Sequence, residues 1–277
     1  MRTILEAIKR PDAVGTEVVL PWPSLARLVK LRTKEMLVVG AAPGGGKSML
    51  AVAWAVQNPD YTLYLAQDSP SSILARMLAY HTGIPIREVY SMFGDARGRR
   101  KLSLVAREIT DRVVIEQGTV TVEGIRQRVN ALREWIGRAP NLIVVDNLID
   151  LDGDGATAAE LSFYSRNLSD LKQLAIEEDT LVAVLHHVTR SKEDRDDTHS
   201  QGRGRITLTN LLFAGEREAR HVWGVYNDGD KTVRVSVLKQ QDGRADPAGN
   251  LEVSLAWKPE TGRLESIPIR NYNEGHR

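Results

Sequence analysis

Two hydrophobic patterns alternate along this chain. Short, largely apolar segments at 36–39, 62–66, 113–115, 141–146 and 180–185 are rich in valine, leucine and isoleucine. They are too short for helices and predict strands buried on both faces. Between them, residues 49–56, 72–80, 122–136 and 158–177 predict helices, with the apolar residues of 122–136 three and four apart. Ser69 and Pro70 supply a helix-start signal for the second of these. Residues 81–112 read as mostly helical and polar, and 208–219 as a further helix. The runs at 221–226, 233–238 and 251–257 follow at hairpin-like spacing, the last two joined by the turn 239–244. The alternation predicts an α/β fold with a mostly parallel central sheet and antiparallel strands at the C-terminal end. Ile4, Leu5 and Ile8 share helical spacing until Pro11. So short a helix packs on something else, either the chain's own core or a neighbouring subunit. The division expected is an N-terminal helix and linker over 1–17 and one domain over 18–277.

Composition narrows the function classes. A chain of 277 residues holds one large α/β domain or two small ones. The 37 lysines and arginines against 36 acids leave a net charge of +1. That balance argues against a surface that grips nucleic acid everywhere, but it leaves room for a local basic channel. No cysteine is present, so there is no disulfide framework and no thiolate metal site. No apolar run approaches the roughly 18 residues of a membrane span, and no signal-peptide core opens the chain. A cytoplasmic protein with no membrane partner is the expectation.

The chemistry concentrates where the first apolar run breaks. Met36-Leu37-Val38-Val39-Gly40 leads into Ala41-Ala42-Pro43-Gly44-Gly45-Gly46-Lys47-Ser48-Met49 and then into a helix. A glycine-rich turn between a strand and a helix lets successive backbone N–H groups face one anion. The helix N-terminus adds its partial positive charge. In this pattern Lys47 reaches the β- and γ-phosphates and the Ser48 hydroxyl ligates Mg²⁺. Ala41 stands where the strict pattern has glycine, a small change. The expected ligand is a nucleoside triphosphate, ATP with Mg²⁺, held by residues 41–49.

A second signal lies about 100 residues on. The run 142–145 closes in Asp146, and a carboxylate at the end of a buried strand beside a phosphate loop can hold the Mg²⁺ shell. The run 180–185 ends in His186-His187. Histidines at that edge can donate to a γ-phosphate and report its loss. The competing readings are a surface pair and a metal site, and no third ligand sits at suitable spacing. The polar stretch 188–205 is nearly free of apolar residues, as functional or disordered loops are. Its bases include Arg190, Lys192, Arg203 and Arg205, the last two separated only by Gly204. They are candidates for phosphate contacts on DNA. The cluster Arg97, Arg99, Arg100, Lys101 reads instead as a solvated face.

The order of these pieces resembles the ATPase domain of DnaB-type replicative DNA helicases, within the RecA-like family, over roughly residues 18–265. The phosphate loop matches over Gly40 to Ser48, and the run after Asp146 (Asn147-Leu148-Ile149-Asp150-Leu151) echoes the family's pattern. Leu171-Lys172-Gln173-Leu174-Ala175 and the turn Lys239 to Gly243 also match. The histidine pair is similar to plasmid RepA-type ATPases, and compact phage helicases look alike. The resemblance implies a RecA-like P-loop fold, ATP hydrolysis, and a homo-oligomeric ring, a hexamer in the helicases. It also implies single-stranded DNA as substrate, and primase or other replication proteins as partners in a bacterial or phage-infected cell.

Three departures stand out. Gln67 occupies the position of the family's catalytic glutamate, and Asp68 carries the nearest carboxylate. The family's arginine finger matches Gln241, leaving Lys239 and Arg244 as trans-acting candidates. The match starts near the N-terminus, so the family's primase-binding N-terminal domain is not expected here. Two alternatives to a helicase stay open: a RecA-type recombination or repair ATPase, and an ATP-gated DNA-binding or loading protein with little turnover.

Overall fold

A computed structural model describes residues 14–66, 69–118, 121–148, 160–188, 204–211, 217–229 and 231–267. In chain order the strands are β1 (Glu17–Val18), β2 (Leu31–Arg32), β3 (Met36–Ala41), β4 (Thr62–Ala66), β5 (Val113–Gln117), β6 (Leu142–Asp146), β7 (Leu181–His187), β8 (His221–Asn227), β9 (Thr232–Lys239), β10 (Glu252–Lys258) and β11 (Arg263–Ser266). The helices are α1 (Pro23–Ala26), α2 (Lys47–Gln57), α3 (Pro70–Thr82), α4 (Ile86–Phe93), α5 (Ala96–Thr110), α6 (Val122–Ile136) and α7 (Glu160–Glu177).

The main sheet has nine strands in the order β11-β10-β9-β8-β3-β7-β6-β4-β5. From β8 to β5 every neighbouring pair is parallel, and β9, β10 and β11 continue the sheet antiparallel. Every residue of β3, β4 and β6 is buried, because helices cover both faces. Alternate residues feed two separate cores. Leu37, Val39, Tyr64 and Val144 pack with α2 and α3 on one face. Met36, Val38, Leu63, Ile143 and Val145 pack with α6 and α7 on the other. Helix α2 is pinned through one large side chain. Trp54 stacks on Trp223 of β8 with ring centroids 6.2 Å apart, and its Nε1 donates to the Val19 carbonyl at 2.8 Å.

Local signals explain the helix boundaries. The Ser69 hydroxyl accepts from Ser72 N at 3.3 Å, and Gly83 closes α3 in the left-handed region at φ 76°. The Thr121 side chain caps α6 by accepting from Gly124 N at 3.0 Å.

One expectation holds and two need correction. Residues 81–112 are mostly helical, as expected, in two helices parted at Gly94 and Asp95, where the Asp95 carboxylate caps α5 by accepting from Gly98 N at 2.7 Å. The helix expected over 208–219 is a single 3₁₀ turn at Leu208–Leu211, with 217–218 in a turn and 212–216 outside the described residues. The Asn210 side chain accepts from Thr207 N and Thr207 Oγ1, and Leu208 N donates to the Pro247 carbonyl. These bonds draw the segment away from helical pairing. Finally, the sheet does not end at β10: Lys258 turns back into β11, whose one buried apolar side chain, Leu264, is too little to announce a strand. The expected N-terminal helix falls on residues 1–13, outside the described residues.

The segment 204–211 lies directly on the sheet. A Cβ on Gly40 would meet Leu211 Cδ2 at 2.3 Å, and one on Gly224 would meet Ile206 Cβ at 2.7 Å. Glycine at both places lets this segment approach β3 and β8 closely.

Candidate functional site

The C-terminal edges of β3, β7, β6 and β4 lie side by side, the place where open parallel sheets bind ligands. Ala41 pairs with His187, and Asp146 pairs with both Leu185 and Ala66. The chain leaves β3 at buried Ala41 and runs through Ala42 and the exposed Pro43 and Gly44. It re-enters regular structure at Lys47, the first residue of α2. Gly46, the N-cap, has φ 99°, a conformation that costs other residues strain. The loop turns on Gly45 N donating to the Ala42 carbonyl at 2.9 Å, and α2 begins with Leu50 N donating to the Gly46 carbonyl at 2.9 Å. The first N–H groups of α2 therefore stand without a helical acceptor. Such N–H groups at a helix start are able to hold an anion, the role expected of residues 41–49.

Lys47 is buried, and its Nζ lies 3.2 Å from Nε2 and 3.5 Å from Nδ1 of His187. Burial first, then the Lys47 charge, lower the pKa of His187, while Asp146 opposes them. The imidazole is therefore neutral at pH 7 and can accept from the ammonium. His186, one residue earlier, faces elsewhere: it is buried against the edge of Tyr164 on α7 at 6.0 Å, and its Nδ1 has no hydrogen-bond partner among the described residues. Burial, reinforced by His187 and Lys47, pushes its pKa down to about 4.

The Ser48 hydroxyl donates to Asp146 Oδ1 at 3.2 Å, and the Tyr64 hydroxyl donates to Asp146 Oδ2 at 2.8 Å. A hydroxyl and a carboxylate converging beside an anion-holding loop form the hard oxygen pair that suits Mg²⁺. Ser48 keeps lone pairs for a metal while its O–H points at the Asp146 carboxylate, so these residues fit the ion. In the sequence Tyr64 looks like one more core residue of a buried run. Its aim at Asp146 emerges only from the pairing of β4 with β6.

Other expected site residues lie elsewhere. Gln67, Asp68, Arg190, Lys192 and Arg203 are outside the described residues. Arg205 is exposed and donates to Asn250 Oδ1 at 2.6 Å. Lys239 is level with Val222 and so with Val38, three residues before the end of β3, or about 10 Å at strand spacing. Its Nζ donates to the Ala219 carbonyl at 2.8 Å, away from the phosphate loop. Arg244 is exposed on the turn beyond it. Neither cation faces the loop of its own chain. Lys239 and Gln241 line a cavity of about 470 Å³ at this opposite edge, with Lys34, Glu35, Arg217 and Arg220. Asp242 anchors the turn by pairing with Arg220, which also holds Glu35 at 3.0 Å.

Residues 25–264 match the model of the DnaB-like helicase C-terminal domain. The chain belongs to this family. Among relatives of this DnaB-like domain, the Gene 65 protein of Mycobacterium phage D29 is 26% identical over 243 residues, covering 84% of this chain and 99% of that protein. The Gene 65 protein of Mycobacterium phage L5 is 25% identical over 248 residues, covering 86% and 88%. The fold matches the ATPase domain of G40P at a TM-score of 0.75 with 21% identity, over 96% of both chains. It also matches a DnaB-like replicative helicase solved for its interactions with primase, at a TM-score of 0.75 with 22% identity, over 96% of this chain and 67% of that one. The α/β fold expected from the alternating pattern, and the RecA-like form implied by the resemblance, are the fold of these domains. Among the described residues, no helix is long and apolar enough to cross a membrane.

Proposed function

We propose that this DnaB-like domain is the motor of a compact replicative helicase. It binds Mg·ATP at residues 41–49, assembles into a hexameric ring, and couples hydrolysis to movement along single-stranded DNA in the cytoplasm of a phage-infected bacterium. One observation supports this reading above others: Lys47, Ser48, Asp146 and His187 converge at the C-terminal edges of neighbouring parallel strands, in a chain of the helicase family.

Backbone N–H groups of the loop and the start of α2 hold the phosphates, and Lys47 neutralises their charge. Ser48 and Asp146 hold Mg²⁺, which when bound supplies further neutralisation of the triphosphate. Lys47 exchanges His187 for the phosphates, and the freed imidazole donates to the γ-phosphate. Asp68 serves the attacking water, with Gln67 as the alternative that orients it without taking a proton. A neighbour's Lys239 or Arg244 stabilises transition-state charge, since these cations face away from the loop of their own chain. Arg190, Lys192, Arg203 and Arg205 contact DNA phosphates. Residues 1–17 link the domain to a neighbouring subunit. Primase is a candidate partner, by likeness to the helicase solved for its interactions with primase.

The test is phosphate release with and without single-stranded DNA, run beside unwinding of a forked duplex. The expected result is hydrolysis stimulated by DNA, unwinding that needs ATP, and loss of both in Lys47→Ala. ATP-dependent DNA binding without turnover points instead to a loading protein, the reading that Gln67 and Gln241 favour. Strand exchange without unwinding points to a recombinase.

A further inference from the structure

We propose that Tyr64 is a positioning residue for the metal-holding carboxylate: its buried hydroxyl fixes the orientation of Asp146 and so sets the affinity of the nucleotide site for its divalent cation. The inference rests on the assignment of Asp146 to Mg²⁺ under the proposed function.

The geometry begins in the sheet. Strands β4 and β6 run parallel, with Tyr64 opposite Val144 and Ala66 opposite Asp146. Side chains two residues apart share a face, so Tyr64, Val144, Ala66 and Asp146 all point toward α2 and α3. Tyr64 sits one such step behind Asp146, and its ring spans that step, delivering the hydroxyl to Oδ2 at 2.8 Å.

Tyr64 is fully buried, as are all residues of its strand. Leaving a buried hydroxyl unpaired costs about 1–3 kcal/mol, whereas phenylalanine fills the same volume without that risk. The core alone therefore gives no reason for the oxygen. The carboxylate does. Asp146 terminates its strand, and the backbone beyond it enters irregular structure. Ser48 holds only Oδ1, and Ser48 belongs to the first turn of the phosphate-loop helix, which must accommodate an arriving ligand. Tyr64 holds Oδ2 from the middle of β4, a strand paired on both sides. With both oxygens gripped, the carboxylate cannot rotate about its own axis. Its remaining lone pairs stay aimed at the cleft before any cation arrives. Partners of this kind behind metal-holding groups change metal affinity by about 10–100-fold when removed.

The experiment compares the wild-type chain, Tyr64→Phe and Asp146→Asn by Mn²⁺ titration in the presence of the non-hydrolysable analogue AMP-PNP, reading free Mn²⁺ by electron paramagnetic resonance. Tyr64→Phe should weaken Mn²⁺ binding by about 10-fold. AMP-PNP binding in EDTA should be unchanged, and turnover should recover as Mg²⁺ is raised. Undiminished Mn²⁺ affinity in Tyr64→Phe, where Asp146→Asn loses it, overturns the role of Tyr64 alone. Undiminished affinity in Asp146→Asn as well overturns the assignment of Asp146 on which the inference rests. If Tyr64→Phe does not fold, 3-fluorotyrosine placed at position 64 of the otherwise unaltered chain gives a second reading. Its fluorine resonance should move when Mg²⁺ is added to the AMP-PNP complex, and an unmoved resonance overturns the proposal.

Discussion

The ammonium of Lys47 rests 3.2 Å from Nε2 of His187, across the boundary between the phosphate loop and the neighbouring strand. A protonated imidazole would repel that ammonium, so the contact needs a neutral ring, which is what burial and the lysine itself favour. An arriving triphosphate therefore competes with a neutral ring for this contact of the lysine.

His187→Ala should leave ADP affinity within a few-fold of wild type, because ADP has no γ-phosphate to be sensed. Affinity for a non-hydrolysable ATP analogue should fall by about 10-fold, the worth of one hydrogen bond to a charged group. Calorimetric titration of both nucleotides checks this. Equal losses for ADP and the ATP analogue would remove the sensor role.

Stability should depend on pH through His186. Its pKa is about 4 in the fold against an ordinary 6.5, because burial penalises the charged ring. Below pH 6.5 the unfolded chain takes up a proton that the folded chain refuses. The contribution is therefore complete above about 6.5 and is lost progressively as pH falls toward 4. Between pH 7 and pH 5 the loss is about 2 kcal/mol, or about 4–8 °C in Tm for a domain of this size. His186→Gln should shrink the Tm difference between the two pH values by about that much. A variant with the wild-type pH slope would show that the histidine is protonated inside the fold.

Asp68→Asn should lower turnover by about 10²-fold if the carboxylate acts as base. Nucleotide affinity should change little. A silent Asp68→Asn together with an impaired Gln67→Ala would assign the water to the amide, which orients without accepting a proton. Single-turnover hydrolysis measures both.

Much of the fold and of this site is legible in the amino-acid sequence. Lys47, Ser48 and Asp146 sit at turns that glycine and a terminal carboxylate mark out, and the buried runs that carry them alternate too regularly to mistake. The features that sequence does not show depend on pairing between distant strands. Nothing local in Thr62–Ala66 shows where the Tyr64 hydroxyl points, since that follows from a register with residues some 80 positions away. The 3₁₀ turn at Leu208–Leu211 is illegible for a similar reason. Its apolar spacing suits a helix, but a carbonyl of Pro247 claims the Leu208 N–H from across the fold.

Changing Arg203 and Arg205 together to alanine should weaken single-stranded DNA binding and reduce the salt slope by about one to two units, about one for each phosphate no longer neutralised. ATP binding should not change. Arg205 also holds Asn250, so Asn250→Ala is the control for a purely local disturbance. Unaltered DNA affinity and salt slope in the double variant would move the DNA-contacting role to 152–157.

The glycines at 40 and 224 carry a mechanical consequence. The polar stretch 188–205 is moored at one end where Val188 N donates to the Ala41 carbonyl, the last residue before the phosphate loop. At the other end, Ile206 and Leu211 are seated on β8 and β3 with no room for a methyl group beneath them. Under the proposed role of this stretch in contacting DNA, a load on it enters the sheet at two points, β3 and its immediate neighbour β8. Both points adjoin the strand that leads into the phosphate loop, so the coupling this role requires needs no relay through the helices.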